Sequence, residues 1–296
     1  MAPDLDALIR SATDPSLYLE FHRQFTHSLI FMPIGALICA GFFYATFARR
    51  LMFFPTYLYC LIGYATHGPL DACPSYGTQL LWPFSSTRVA WDSISIIDPL
   101  FTIPIIVLVG FGAIRSSALY RKLAMFWVFI YLSFGILQRE RVETFAENLA
   151  SSRNHIPARL TVKPSFGNLL VWKTIYEADG KYFVDAVRAA KNFTLFEGQS
   201  VPKLNFNRDL PWLDPQSQQA KDLERFRWFS NDFLALAANR SSFVIDMRYS
   251  MVPNEVDGLW GIQLSQHSNA DEHVEFLWDR DVTEEKKEAL KAMLLD

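Results

Sequence analysis

The feature that most limits how this chain can fold is the uneven distribution of its charges. Residues 1–138 contain 15 Asp, Glu, Lys and Arg residues, whereas the remaining 158 residues contain 44. A soluble globular chain is about one quarter charged along its whole length. The first half falls far below that value and therefore suits a solvent that excludes charge. The sequence predicts a membrane domain followed by a soluble domain, with the boundary near residue 138.

Apolar runs in the first half predict an α-helical membrane domain of about four transmembrane helices. A span needs about 20 mostly apolar residues, and Asp98-Pro99 is a typical helix start, an N-cap followed by proline. The four runs are Leu29–Phe47, Leu51–Thr66, Pro99–Ile114 and Leu119–Leu137. We therefore assign residues 27–138 to the membrane domain and residues 1–26 to an interfacial segment that precedes it.

Basic residues in the short turns predict the orientation of these helices. Cytoplasmic loops carry an excess of Lys and Arg. The turns after the first and third helices contain no acidic residue and hold Arg49, Arg50, Arg115, Arg121 and Lys122. The 67–95 loop contains Arg88 as its single basic residue. We therefore expect a multi-pass protein of the cell inner membrane, with the N-terminal segment, the 67–95 loop and the soluble domain on the periplasmic side.

Patterns in residues 139–296 predict a small α+β soluble domain. The tripeptide Ala178-Asp179-Gly180 lies between two strand-like runs and is typical of a β-hairpin. The predicted strands are Asn168–Glu177, Lys181–Val187, Ser242–Tyr249 and Gly258–Leu264. The predicted helices are Ser217–Ala237, which has apolar residues at core spacing, and Thr283–Leu294.

Composition excludes two classes of function. The net charge is -3 and no basic stripe with interleaved aromatic residues occurs, so nucleic-acid binding is not expected. The cysteines Cys39, Cys60 and Cys73 form no Cys-x-x-Cys pair, which argues against a disulfide framework and a thiolate metal site. The partner that the composition does predict is the lipid bilayer.

Three histidines lie at helix ends that the hairpin topology brings to one membrane surface. His22 and His27 precede the first helix, and His67 ends the second. Asp71 follows His67 by four residues, a spacing that separates two helical side chains by only about 40°. Asp4 and Asp6 are two residues apart, which places both carboxylates on one face of an extended segment.

These residues form a donor set suited to one or two divalent ions. Imidazole and carboxylate ligands favour zinc first, with manganese and iron after it. Ionisable residues at membrane helix ends are costly and tend to be functional. The alternative is that the histidines are interfacial polar residues and that Asp4 and Asp6 are simply solvated.

Three motifs resemble those of a known family. They are Pro3-Asp4-Leu5-Asp6, the string His22-Arg23-x-x-Thr26-His27-Ser28, and HGPLDACPSYGTQLLWPF from His67 to Phe84, with IIDPLF following at residues 96–101. Together they resemble the bacterial inner-membrane metal-dependent hydrolases of the YdjM-like family. The soluble half adds a looser similarity at residues 225–230. Members of that family usually carry a further hydrophobic helix before the Pro-Asp-x-Asp motif, where this sequence begins.

The resemblance implies a metal-dependent hydrolase. Its expected ligands are His22, His27, His67 and Asp71, with Asp4 and Asp6 completing the site. Our hypothesis is hydrolysis of an ester or phosphoester, such as a lipid headgroup, at the external membrane face. One of Asp4 and Asp6 would bind a second ion or act as general base.

The role of the basic residue at the site has two interpretations. Arg23 would steady an anionic substrate or extend to phospholipid headgroups. Thr26 and Ser28 are expected to support ligands or cap helices rather than act as nucleophiles.

A rival hypothesis is a non-catalytic membrane scaffold. In that case a structural metal or polar cluster would tie the helices together, and the soluble domain would bind a partner. A coordination position left open for water favours the enzyme, whereas a closed ligand set favours the scaffold.

Overall fold

Helices make up most of the first half of the chain, and two antiparallel sheets form the framework of the second. The computed structural model describes residues 2–46, 52–279 and 283–295. The helices of the first half are α1 (Leu17–Phe21), α2 (Met32–Thr46), α3 (Phe53–Ala72), α4 (Pro99–Ile114) and α5 (Ala118–Ser152), with 3₁₀ turns at Pro3–Leu8 and Phe25–His27. Helices α2 to α5 occupy the places of the four predicted apolar runs. The predicted tight turn at Arg49-Arg50 lies outside the described residues.

The four long helices pack as two antiparallel pairs, α2 with α3 and α4 with α5. Asp98 caps α4 as predicted, since its carboxylate accepts a hydrogen bond from the Phe101 amide at 3.1 Å. The same carboxylate accepts the Tyr131 hydroxyl of α5 at 2.8 and 2.9 Å. The cap therefore also fastens α4 to α5.

Helix α5 is long and apolar enough to cross a membrane. Only 17% of its apolar window is buried inside the protein, unlike the core helix of a soluble domain. Among the described residues, a second span arises if α2 is joined to the segment Leu17–His27, from which it is bent by 82°. Helix α4 is apolar but shorter, and α3 is not apolar enough along its length. The structure thus has one clear apolar span, and the count of four transmembrane helices stays a prediction.

Helix α5 continues to Ser152 instead of ending at Leu137. Its later turns carry the small apolar residues Val142, Ala146 and Ala150, all fully buried. They pack against a β-sheet of the second half of the chain, described below as the first sheet. The buried Gln138 amide donates to two carbonyls beside that sheet, those of Leu169 at 3.0 Å and Ala189 at 2.7 Å. The predicted domain boundary near residue 138 therefore falls inside a continuous helix.

The second half forms two antiparallel sheets, which we call the β domain. The first sheet contains β1 (Arg159–Pro164), β2 (Val171–Ala178), β3 (Lys181–Ala189), β4 (Phe193–Phe196) and β5 (Ser200–Pro202). Its order is β1-β2-β3-β4, and β5 also pairs with β3. The second sheet, in the order β6-β7-β8-β9, contains Leu234–Leu236, Phe243–Asp246, Trp260–Gln263 and Glu275–Trp278. The helices are α6 (Phe206–Asp209), α7 (Gln218–Phe229) and α8 (Glu284–Leu295).

The sheets bury their apolar side chains in layers. Trp172 and Val187 of the first sheet pack with Val142 of α5. Val184 of the same sheet packs with Phe243 of the second sheet. Helix α7 covers the remaining face of the second sheet through a cluster that includes Leu223, Phe226, Val244 and Ile262.

The predicted hairpin and the second strand pair are both confirmed. Strands β2 and β3 meet at Ala178 and Lys181, and the turn residues Asp179 and Gly180 both have positive φ, 51° and 70°. This is the backbone that a two-residue hairpin turn requires. Strands β7 and β8 pair antiparallel as expected.

The helix predicted for Ser217–Ala237 is too long. It ends at Phe229, because Asn231 and Asp232 adopt left-handed φ angles of 52° and 58°. The apolar residues that follow belong to strand β6, not to the helix. The short run Phe233–Leu236 fits either period, so its hydrophobicity alone did not distinguish strand from helix.

Arg225 of α7 fastens the N-terminal segment to the β domain. Its guanidinium donates to both oxygens of Asp14, at 2.9 and 3.0 Å, and also bonds to Glu20. It reaches Asp222 of its own helix at 3.0 Å. Leu19, which is 3% exposed, enters the core between α7 and the second sheet. These contacts hold residues 14–20 against α7 and the second sheet.

Candidate metal centre

Four predicted ligands converge at the end of the α2–α3 pair. The His27 Nε2 atom lies 3.0 Å from Asp71 Oδ2 and 3.6 Å from Asp4 Oδ1. The His67 Nε2 atom lies 3.2 Å from Asp71 Oδ2 and 3.3 Å from Asp4 Oδ1. One donor atom from each residue lies within 4.8 Å of every other. The predicted shared face of His67 and Asp71 is thus present on α3.

These separations match those of a metal coordination shell. With ligand bonds of about 2.0–2.1 Å, the donors of a tetrahedral zinc site lie about 3.3 Å apart. Exposure differs among the side chains: His27 is fully buried, Asp71 and His67 are about one fifth exposed, and Asp4 is 42% exposed. The site is therefore closed at His27 and open at Asp4.

Two donor atoms of the group lack a hydrogen bond. Both His27 Nε2 and Asp71 Oδ2 are buried without a hydrogen-bond partner among the described residues, although they lie 3.0 Å apart. Leaving buried polar atoms unsatisfied costs about 1–3 kcal/mol each. A cation between them would satisfy both, so this donor set fits a divalent metal ion.

Asp6 holds the ring of His27 from the other side. Its Oδ2 atom lies 3.1 Å from His27 Nδ1 and accepts the Thr26 hydroxyl at 2.6 Å. Burial alone would raise the pKa of Asp6, but hydrogen bonds from His22, His27 and Thr26 lower it well below its usual range. The ionised carboxylate favours a proton on Nδ1 of His27, which leaves the Nε2 lone pair facing the cluster. Thr26 thus donates to the carboxylate that holds the His27 ring.

The structure places His22 beside the four converging residues and not among them. Its Nδ1 atom lies 2.9 Å from Asp6 Oδ1, and its ring stacks on Tyr18 at 4.9 Å. Asp6 is likewise outside the group, because hydrogen bonds occupy both of its oxygens. These two predicted ligands therefore lie outside the candidate centre. Asp6 contacts His27 of the centre directly, and His22 contacts Asp6.

Arg23 lies against the candidate centre in a strained conformation. Its φ is 60°, a left-handed value that costs a non-glycine residue about 1 kcal/mol or more. Its amide donates to Asp6 at 2.9 Å, and its guanidinium donates to the Asp71 carbonyl at 3.0 Å. The side chain is 13% exposed and lies beside Asp71.

Two residues that position the site, Tyr64 and Gly68, are not predicted by the sequence. The Tyr64 hydroxyl donates to the Thr26 carbonyl at 2.9 Å and ties α3 to the 3₁₀ turn. Gly68 lets that turn approach α3, because a Cβ atom at Gly68 would lie 2.6 Å from the His27 carbonyl oxygen. Spacing along the chain gives no signal for either contact.

A second group with metal-like spacing contains Asp14, Asp222 and His273. Here Arg225 already occupies the oxygens of Asp14 and one oxygen of Asp222. His273 lies 2.8 Å from the other oxygen of Asp222. The group is an ion-pair network that joins two parts of the fold.

Comparison with known proteins finds a family that is similar to the first half of the chain. Residues 1–142 match the family model of the YdjM inner membrane protein, so the predicted resemblance to that family is confirmed over those residues. The metal-dependent hydrolase activity that the resemblance implies stays a prediction. The match covers all the residues of the candidate centre.

A protein of Bacillus subtilis is similar to the chain over a shorter region. The chain is 32% identical over 98 residues to "Uncharacterized protein YfhP" of Bacillus subtilis (strain 168). That region is 33% of this chain and 29% of the relative, so the chain spans less than a third of that protein's length. No solved structure matches the chain.

The close approach at Gly68 gives a test of the site's architecture. Gly68→Ala should destabilise the protein by about 1–3 kcal/mol, the usual cost of overpacking, because the new methyl group meets the His27 carbonyl. Gly63→Ala on the same helix is the matched control, since no atom lies within 4 Å of a Cβ there. Unfolding free energies of the full chain in detergent measure both. Equal stability of the two variants would contradict the close packing described here.

Proposed function

We propose that this chain is a membrane-bound, metal-dependent hydrolase that cleaves an ester or phosphoester at the external membrane face. The observation that supports this function most is the convergence of four donor atoms at 3.0–3.6 Å, two of them buried without hydrogen bonds. Structural zinc sites commonly contain four ligands, whereas hydrolytic sites keep one position open for water. The partial exposure of Asp4 supplies that open side.

The residues favour zinc as the metal. We assign His27, His67 and Asp71 as ligands, a combination of two imidazoles and one carboxylate that zinc hydrolases use. Asp6 holds His27, while Arg23 lies 3.6 Å from the outer oxygen of Asp71 and donates to its carbonyl. Both residues fix ligand orientation, which strengthens metal binding.

The reaction chemistry follows from which groups face the open side. When bound, the metal would lower the pKa of a water molecule towards neutrality and polarise the substrate oxygen. Asp4 is the most exposed of the four residues and lies beside both histidines. We assign it the role of general base, which accepts the proton of the attacking water. Asp6 is excluded from that role because its oxygens are buried and already hydrogen bonded.

Exposed apolar side chains support a membrane domain of four spans around the site. Ile38 of α2, Ile62 of α3, Ile106 of α4 and Phe129 of α5 are each more than 60% exposed. A bilayer would cover such side chains, which are costly in water. The basic turns assign the opposite ends of the helices to the cytoplasm, so the candidate centre and the β domain would lie in the periplasm.

Metal retention tests the ligand assignment. His67→Ala and Asp71→Asn should weaken zinc binding by more than the 10–100-fold that is typical of residues that only orient a ligand. The controls are His267→Ala and Asp271→Asn, because both residues are exposed and far along the chain in the β domain. Metal content of the purified proteins after dialysis measures the effect. Wild-type zinc content in both ligand variants would contradict the assignment.

Turnover separates the base from the ligands. Asp4→Asn should keep most of its zinc but lose catalysis by on the order of 10²–10⁴-fold, the usual contribution of a general base. The assay is hydrolysis of a p-nitrophenyl ester, a p-nitrophenyl phosphate and a phospholipid by the zinc-loaded protein in nanodiscs. Loss of zinc equal to that of His67→Ala would make Asp4 a ligand. Stoichiometric zinc without turnover of any substrate would favour the scaffold instead.

Reporter fusions test the orientation. A reporter that is active only in the periplasm should be active when fused after the last residue, because five basic residues flank the opposite helix ends. The same reporter inserted between Ser116 and Ser117, in the turn that joins α4 and α5, should be silent. Activity in the reverse pattern would overturn the periplasmic assignment.

A further inference from the structure

A polar cavity of about 340 Å³ lies between the loop that follows α3 and the β domain. Loop residues 75–77 and 86–92 form one side, while β1, the end of α7 and Arg248 form the other. Its volume corresponds to on the order of ten water molecules at about 30 Å³ each, which is ample for a hydrated oxyanion. Ser86 and Thr87 line the cavity and are exposed, so it opens to solvent there.

Three cationic side chains line this cavity: Arg88, Lys163 and Arg248. Lys163 and Arg248 are only 5% and 7% exposed. A neighbouring cavity of about 110 Å³ shares the walls formed by Lys163 and Arg248 and adds Lys173, which is 4% exposed. Four basic residues are therefore gathered beneath one loop.

Carboxylates neutralise only two of these four cations. Lys163 pairs with Asp92 at 2.7 Å, and Arg248 pairs with Asp246 at 2.9 and 2.7 Å. Lys173 donates instead to the Ser250 hydroxyl at 2.8 Å and the Glu255 carbonyl at 2.7 Å, and no described carboxylate forms an ion pair with it.

Of these four cations, Arg88 is the one that has a buried nitrogen without a hydrogen-bond partner. Its terminal nitrogens donate to carbonyls, those of Gly77 at 2.9 Å, His22 at 3.3 Å and Leu19 at 3.4 Å. Its Nε–H group is buried without a hydrogen-bond partner, and within the described ranges no carboxylate pairs with it. Burial lowers the pKa of Arg88 to about 10, and the charges of Arg248 and Arg23 act in the same direction.

Aromatic rings offset part of the cost of this buried charge. The guanidinium lies 5.1 Å from the centre of the Tyr76 ring, 5.3 Å from that of Phe229 and 5.7 Å from that of Trp228. Cation–π attraction contributes about 1–2 kcal/mol when desolvated, less than the several kcal/mol that burying an unpaired ion costs. The rings also leave the Nε–H group unsatisfied. An anion in the cavity would compensate the charge.

We propose that this cavity binds a phosphate-type oxyanion, with Arg88 as its principal ligand. The planar guanidinium matches the geometry of phosphate oxygens, and arginine is the residue most used for that purpose. The hydroxyls of Ser86 and Thr87 stand at the opening, and the positive charge of Arg88, which no described carboxylate neutralises, favours an anion over a neutral ligand. The anion has two sources: a free phosphate or phosphoester, and the phosphate of a lipid headgroup.

This site is separate from the candidate metal centre but lies next to it. His22, whose ring holds Asp6, accepts a hydrogen bond from Arg88 through its carbonyl. The ring of Tyr76 contacts both Arg23 and Arg88, each at 5.1 Å. The anion site does not require the metal or the hydrolase activity, so the two proposals can fail independently.

Inorganic phosphate is the first probe. Binding is measured by calorimetry on the full chain in detergent, with His67→Ala as background so that no metal at that centre contributes. Arg88→Gln should weaken phosphate binding by on the order of tenfold or more, the loss expected for a charge-assisted hydrogen bond. Arg88→Lys should retain part of the affinity, and Arg208→Gln, an exposed arginine paired with Asp209, should retain all of it.

A second variant protects the test against misfolding of Arg88→Gln. Ser86→Glu places a negative charge at the opening without touching the buried cations, so it should also weaken phosphate binding. Ser241→Glu adds the same charge at another exposed position of the β domain and should have no effect.

The lipid arm distinguishes the two sources of the anion. Nanodiscs that contain phosphatidylglycerol should raise the unfolding temperature of the chain over discs of a phosphate-free glycolipid, and Arg88→Gln should lose that gain. Arg88-dependent binding of phosphate assigns a free anion, and Arg88-dependent stabilisation by phosphatidylglycerol alone assigns a headgroup. If neither probe depends on Arg88 or Ser86, the cations are structural and the proposal is overturned.

Discussion

Both oxygens of Asp6 lie beyond the reach of water, and an ionised carboxylate in that position must find its donors within the protein. It finds them in the stretch from His22 to His27, which therefore wraps around Asp6 before α2 begins. This wrapping fixes the path of the chain, forces Arg23 into its left-handed conformation and turns the His27 ring towards α3. The arrangement of the candidate centre depends on this one buried anion.

The two halves of the molecule form one continuous structure because α5 serves both. Its first part carries exposed apolar side chains, and its second part supplies the buried surface on which the first sheet packs. At 1.5 Å per residue, the 35-residue helix is about 52 Å long, more than a hydrocarbon core of about 30 Å requires. The excess length becomes part of the core of the β domain.

Much of this arrangement could be predicted from the sequence. The four-residue spacing of His67 and Asp71 predicted that both side chains lie on one face of a helix. The hairpin order of the apolar runs predicted that this face lies near His27. The Asp-Gly hairpin turn and the proline after Asp98 were equally local signals, and both features are present. Local rules succeed here because each depends only on residues within one turn of helix or one loop.

Contacts that depend on long-range packing could not be predicted. Nothing in the spacing of His22 and Asp6 distinguishes a ligand from a residue that holds a ligand; the distinction lies in which ring nitrogen meets which carboxylate. Tyr76 packs among His22, Phe229 and two arginines, none of which is near it in the sequence pattern. The end of α7 depends on left-handed residues at 231 and 232, and neither asparagine nor aspartate adopts that conformation often enough to be decisive.

The contact between Arg225 and Asp14 joins residues 211 positions apart, which has a consequence for the order of events during synthesis. The amino-terminal end leaves the ribosome first and enters the membrane region long before α7 exists. Until Arg225 is translated, Asp14 and Glu20 lack this ion-pair partner, and the segment that carries Asp4 and Asp6 lacks its anchor on the β domain. The N-terminal segment therefore reaches its final contacts only after α7 has been synthesised. A truncated product that stops before α7 would leave Asp14 and Glu20 without their ion pair to Arg225.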